Sequence, residues 1–142
     1  FRACADYGQE HNIYLGMENH DGSLAAIPDT IMRLVSAVDS PFFGILFEPA
    51  NLMACKVDYK SAYKLFAESI VHVHIKDSHW VDGTYRRTDI GEGDVDIRWV
   101  VRRMEEDGYQ GDYALEFEIE QEIPVEVGMP RWLEYFRSIE PA

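Results

Sequence analysis

The sequence predicts an α/β fold in which four βα units lay their strands side by side in parallel, as the C-terminal half of an eight-stranded barrel. Short apolar runs of strand length, Ile13–Met17, Phe43–Phe47, Ile70–Val73 and Tyr113–Leu115, alternate with stretches of helical periodicity, the pattern of right-handed βαβ units on a parallel sheet. Each run ends on a side chain able to bind a metal: Glu18, Glu48, His74 and Glu116. In an α/β barrel the C-terminal strand ends converge on one mouth, so ligands distant in sequence meet there. Four parallel strands alone leave two unpaired edges and an uncovered apolar face. We therefore expect another half or a second copy to complete the sheet.

The elements follow in order. Phe1 to Gln9 reads as the tail of a helix, so the chain is expected to begin partway through a longer pattern. Behind the first run, Asn19-His20-Asp21-Gly22-Ser23 forms a turn, and Leu24, Ile27, Ile31, Leu34, Val35 and Val38 recur at helical spacing. Pro28 suits the first turn of that helix, which stops at Asp39-Ser40 before Pro41. Tyr59, Ala62, Tyr63, Phe66 and Ala67 mark a second helix opened by Asp58. A third spans about Asp96 to Asp107, with Ile97, Val100, Val101 and Met104 on one face and Gly108 as its C-terminal cap. The last is expected near Pro130 to Ile139, around Trp132, Leu133, Tyr135 and Phe136. The segment carrying Asp82-Gly83-Thr84-Tyr85-Arg86-Arg87 and Gly91-Glu92-Gly93-Asp94 reads as one long loop.

Composition limits the function. The 142 residues, 46% hydrophobic and 13% aromatic, suffice for one globular domain with a real core. No run nears the roughly 18 apolar residues of a membrane span, and the N-terminus shows no signal-peptide core, so a cytoplasmic chain without membrane partners is expected. Cys4 and Cys55 make neither a disulfide framework nor a metal pair. A formal charge of −13 disfavours nucleic acid, whose phosphates need clustered Lys and Arg. A small phosphorylated ligand remains compatible with one or two local cations.

Strand parity sorts the candidate side chains, since residues two apart share a side. Gly16 goes with Glu18, Leu46 with Glu48, and Ala114 and Glu118 with Glu116. His72, His74 and Lys76 likewise share a side. His72 reads as a hydrogen-bonded core residue. His74, nearer the strand end, reads as a ligand, because imidazole with carboxylates suits Mn²⁺, Mg²⁺, Co²⁺ or Zn²⁺. Lys76 either binds a substrate oxygen or phosphate, or pairs with a carboxylate. His20 lies two residues past Glu18, in the pocket or in water, and Arg86 or Arg87 reaches an anionic group or is ordinary surface charge.

The segments Gly16-Met17-Glu18-Asn19-His20, Glu48-Pro49-Ala50-Asn51, His72-Val73-His74-Ile75-Lys76-Asp77, Gly91-Glu92-Gly93-Asp94-Val95-Asp96, and Gly108-Tyr109-Gln110-Gly111 followed by Leu115-Glu116-Phe117-Glu118 together resemble the sugar phosphate isomerase/epimerase family of xylose isomerase-like TIM barrels. The resemblance runs in family order along nearly the whole chain. It implies strands five to eight of the barrel, with a divalent ion, Mn²⁺ or Mg²⁺ foremost, held by Glu18, Glu48, His74 and Glu116. It also implies isomerisation or epimerisation of a small sugar or sugar phosphate through a metal-stabilised enediolate, with Glu18 and Glu116 exchanging the proton. His20, Asn51, Lys76 and Arg87 are the substrate-binding candidates, and a homo-oligomer is expected. One departure stands out: the family usually has Asp in a D-P-x-N pattern where this chain has Glu48. A dehydratase of the same superfamily and a non-catalytic half-barrel are the competing readings. An apurinic endonuclease would need a basic groove and more histidines than this chain has.

Overall fold

The structure, a computed structural model, describes residues 1–140. It divides into two compact units, Phe1–His74 and the remainder from Ile75. The fold is α/β, with a parallel sheet in the order β1-β2-β3-β6 and six α-helices among the described residues, in keeping with the expected half-barrel.

The first unit holds α1 (Arg2–His11), β1 (Leu15–Glu18), α2 (Pro28–Val38), β2 (Phe43–Phe47), α3 (Pro49–Ala54), α4 (Tyr59–Phe66) and most of β3 (Ile70–Ile75). Strands β1 and β2 run parallel with Glu18 opposite Leu46, and β2 and β3 run parallel with Leu46 opposite His72. The helices form where the sequence puts their signals. Pro28 occupies the first turn of α2, whose end passes through Asp39 in the left-handed region. Asp58 caps α4, its carboxylate accepting the Lys60 amide N–H at 3.1 Å and the Ser61 hydroxyl at 2.6 Å. Apolar helix faces cover the strands: Val38, Ala5 and Phe43 cluster with Leu15, Met17, Leu34 and Val35, and Phe47 packs on Tyr63 and Phe66 with ring centroids 5.7 and 6.3 Å apart. Gly44 is obligatory, because a Cβ there would strike the Ser69 carbonyl and the Val71 side chain.

The second unit contains β4 (Asp77–Val81), β5 (Thr84–Thr88), α5 (Ile97–Glu106), β6 (Tyr113–Leu115) and α6 (Val125–Arg137). Strand β6 joins the end of β3, where the Glu116 N–H donates to the Ile75 carbonyl at 3.0 Å. Asp96 caps α5 by accepting the Trp99 N–H, and the buried face is Ile97, Val100, Val101 and Met104. On α6, Trp132 packs against Phe117 at 4.9 Å, and its indole N–H donates to Asp89 at 2.5 Å.

The local expectations change in three places. The long loop is in part an antiparallel hairpin, β4 with β5, turned by Asp82 and Gly83 at φ 49° and 76°, the geometry a two-residue hairpin turn requires. The last helix starts at Val125, so Pro130 lies inside it rather than in its first turn. A short helix, α3, follows Glu48 directly. His74 lies in β3, next to the strand's end at Ile75. Among the described residues, no helix is long and apolar enough to cross a membrane.

Candidate active site

In the first unit, polar side chains lie at or next to the C-terminal ends of three strands. Glu18 ends β1, and its Oε1 accepts a hydrogen bond from the Asn51 side-chain amide at 3.0 Å. His74 on β3 offers a ring nitrogen within 4.8 Å of a Glu18 carboxylate oxygen. Its ring stands edge-on to His72 at 5.4 Å. The next residue on β1's path, Asn19, is fully buried. Its side chain donates to the Glu48 carbonyl at 2.7 Å and accepts the Glu48 N–H at 3.0 Å, mimicking a strand pairing one residue past the end of β1. That two-point contact fixes the β2–α3 junction against the β1 terminus, and so fixes Asn51 against Glu18.

Glu48 itself is fully buried. Its Oε1 accepts the Ala50 N–H at 2.9 Å, which makes it the N-cap of α3. The carboxylate is well matched to the amide-rich start of a helix, while Pro49, lacking an N–H, costs nothing at the first helical position. His20 lies in the exposed turn, with Nδ1 2.8 Å from the Asp21 carbonyl oxygen and 3.0 Å from its carboxylate.

The second unit carries an ion-pair chain. Lys76 is 3% exposed, and its ammonium donates to Glu116 Oε2 at 2.6 Å and to Glu118 Oε2 at 2.7 Å. Arg87 on β5 brings its Nε to the same Glu118 oxygen at 2.8 Å. Parity explains the geometry: Glu116 and Glu118, two apart beyond β6, share a side. Lys76, the residue after β3, lies beside them because β6 pairs with the end of β3. Of the alternatives open for Lys76, the carboxylate pairing is the one present.

Just beyond Lys76, the buried Asp77 carboxylate accepts four backbone N–H groups, from Ser78 at 2.8 Å, Gly91 at 2.9 Å, Gly93 at 3.0 Å and Val95 at 3.2 Å. Burial pushes its carboxyl above the usual aspartate value, against these four donors that pull it down. The Gly-rich segment is thus wrapped around one side chain. Gly93 has no room for a Cβ, which would overlap Asp77 Oδ1 and the Ser78 carbonyl. Sequence reasoning missed the roles of two residues, one in each unit: Asn19, buried after a strand end, which holds the β2–α3 junction, and Asp77, recognisable by the glycine run that follows it, which holds the 91–95 segment.

The parallel α/β sheet and its helices match those of xylose isomerase-like TIM barrels. The family profile described as xylose isomerase-like TIM barrel matches residues 1–139, and the chain belongs to that family. It is 27% identical over 116 residues to a protein of Methanocaldococcus jannaschii, covering 78% of this chain and 39% of that one. It is 31% identical over 94 residues to a 3-oxo-isoapionate decarboxylase of Pectobacterium atrosepticum, covering 62% and 33%. With an L-ribulose-5-phosphate 3-epimerase of Salmonella paratyphi A it shares 26% over 115 residues, covering 81% and 40%. The chain thus spans two fifths or less of the length of these relatives. Among solved structures, a xylose isomerase domain protein from Planctomyces limnophilus superposes with a TM-score of 0.81 at 23% identity, over 97% of this chain and 50% of that one. A xylose isomerase-like TIM barrel protein from Mycobacterium smegmatis, in complex with magnesium, gives 0.70 at 21%, over 81% and 40%. At these identities the structural likeness establishes the fold alone.

Proposed function

We propose that this chain supplies the metal-binding half of a divalent-metal-dependent sugar isomerase or epimerase. The observation that carries the reading is Glu18, anchored by Asn51 and lying within ligand distance of His74, at the strand ends where such barrels bind their substrates. Glu18 and His74, with Glu116 as the further ligand that the family resemblance implies, are donor types that suit Mn²⁺ or Mg²⁺, and also Co²⁺ or Zn²⁺. Glu48, the third strand-end acid, stands where the resemblance places the family's Asp ligand. When bound, the ion supplies a Lewis acid for the negative charge that grows on a substrate oxygen as a proton leaves the adjacent carbon. The kinship with a sugar-phosphate epimerase supports a small polyhydroxy carbonyl substrate.

The chain's own residues then divide the work. Glu18 and Glu116 act as the acid/base pair, one removing the proton next to the carbonyl and the other returning it. Asn51, held on Glu18, orients that carboxylate or a substrate hydroxyl. Lys76 fixes Glu116, which keeps the carboxylate from rotating out of line. The kinship with a decarboxylase favours a second reading, in which the same charge on oxygen is produced by loss of carbon dioxide, or is produced by proton removal and then discharged by expulsion of a β-hydroxyl.

Incubating the protein and Mn²⁺ with a panel of pentoses, hexoses and their phosphates in deuterated water tests the proposal. Proton transfer predicts deuterium at the carbon next to the carbonyl and an epimeric or isomeric product, both lost on chelation and in Glu18→Gln. A decarboxylated or dehydrated product instead would replace the first reading with the second.

A further inference from the structure

We propose that Glu118 is a specificity-determining residue, the built-in counter-anion of Lys76 and Arg87, which biases the site toward uncharged sugars and against phosphorylated ones. The inference rests on the sugar-site reading above and adds the charge of the substrate. Both cations end on one oxygen, Glu118 Oε2, at 2.7 Å from the Lys76 ammonium and 2.8 Å from Arg87 Nε. Lys76 also donates to Glu116 at 2.6 Å. Two cations thus face two carboxylates, and the cluster is formally neutral.

The two cations differ in what they can do. Lys76 is 3% exposed and clamped at two carboxylates, so it has little freedom to turn toward a ligand. Arg87 and Glu118 are partly exposed, 44% and 34%, so the outer ion pair is where a ligand arrives. An incoming phosphate has to displace Glu118 from Arg87, or bind while held near a like charge. A sugar hydroxyl meets no such penalty, because it can donate to the Glu118 carboxylate and leave the cations as they are.

Removing the charge of Glu118 therefore opens a phosphate site. The test titrates chelator-treated protein with inorganic phosphate by calorimetry, comparing the wild type, Glu118→Gln and Glu120→Gln. Glu120 is exposed, so its variant carries the same change of net charge without touching the cluster. Discounting a Coulomb estimate for partial exposure, Glu118→Gln binds phosphate about tenfold more tightly than the wild type, and Glu120→Gln matches the wild type. Adding Arg87→Ala to Glu118→Gln abolishes the gain. Equal phosphate affinity in the wild type and Glu118→Gln, or an equal gain in Glu120→Gln, overturns the proposal. Should Glu118→Gln fail to fold by circular dichroism, Glu118→Asp, which retracts the carboxylate by one methylene, gives a smaller gain in the same direction, and no gain there is equally fatal. Since no metal and no turnover enter this measurement, failure of the isomerase reading leaves its result standing, and the reverse holds too.

Discussion

Replacing Glu48 with Ala and with Asp separates its part in the fold from its part in ion binding. The side chain is fully buried and caps α3 through the Ala50 N–H at 2.9 Å. Loss of a side-chain cap costs about 1 kcal/mol, and each buried methylene removed costs about 0.8 kcal/mol. Glu48→Ala, which loses the cap and one methylene with the carboxylate, is therefore destabilised by about 2 kcal/mol. Glu48→Asp keeps a carboxylate, a preferred capping group, and loses one methylene, a cost of about 0.8 kcal/mol or less. In urea denaturation followed by circular dichroism, the midpoint falls far more for Ala than for Asp, with the slope unchanged. In metal titrations Glu48→Asp preserves or improves affinity, because it restores the family's usual ligand, and Glu48→Ala weakens it. An alanine variant as stable as the wild type refutes the capping argument; equal metal affinity in all three proteins places position 48 away from the ion.

Other expectations follow from single contacts. Asp77→Asn replaces one acceptor oxygen with a donor amide amid four N–H groups, so it costs about 1–3 kcal/mol, read as a fall in melting temperature; no change would mean that the 91–95 segment holds its shape unaided. Asp58 is held below its ordinary pKa, first by the Ser61 hydroxyl. Its carboxylate thus contributes stability that is present above the unfolded value of about 3.9 and lost as pH falls through the depressed folded value, and the deficit of Asp58→Ala at pH 7 should shrink under acid. Gly93→Ala forces a methyl into Asp77 Oδ1 and costs about 1–3 kcal/mol as overpacking, checked by the same melts. The isolated chain is expected to self-associate or to need its other barrel half, since closing a barrel removes open edges; light scattering that finds a well-folded monomer at micromolar concentration would contradict this.

The sheet was legible because its signals are local. Apolar runs of three to six residues give β2, β3 and β6, and Asp58, Asp96 and Gly108 mark helix ends by side-chain and backbone preferences that act within one turn. The hairpin was missed although Asp82-Gly83 is a strong turn signal, because its flanks, such as Thr84-Tyr85-Arg86-Arg87, lack the apolar alternation of a half-buried strand. Pro130 drew the start of the last helix five residues late: proline favours a first turn, yet here the helix carries it inside. Helix α3 has only six residues, too few for periodicity to show. The candidate site was legible as residue types at strand ends, but not as partnerships. Lys76 and Glu118 lie 42 positions apart, and only the pairing of β6 with β3 brings them together. Asn19 was read as part of a turn because its partner, the Glu48 backbone, lies on another strand.

The central claim is that strand-end residues from this chain hold a divalent ion, and calorimetric titration of the purified protein with Mn²⁺ tests it most directly. The wild type should bind one ion per site, and the combined His74→Ala and Glu116→Ala variant, folded by circular dichroism, should lose affinity by more than about 100-fold, two ligands' worth at tenfold or more each. Unchanged Mn²⁺ affinity in that variant would contradict the account.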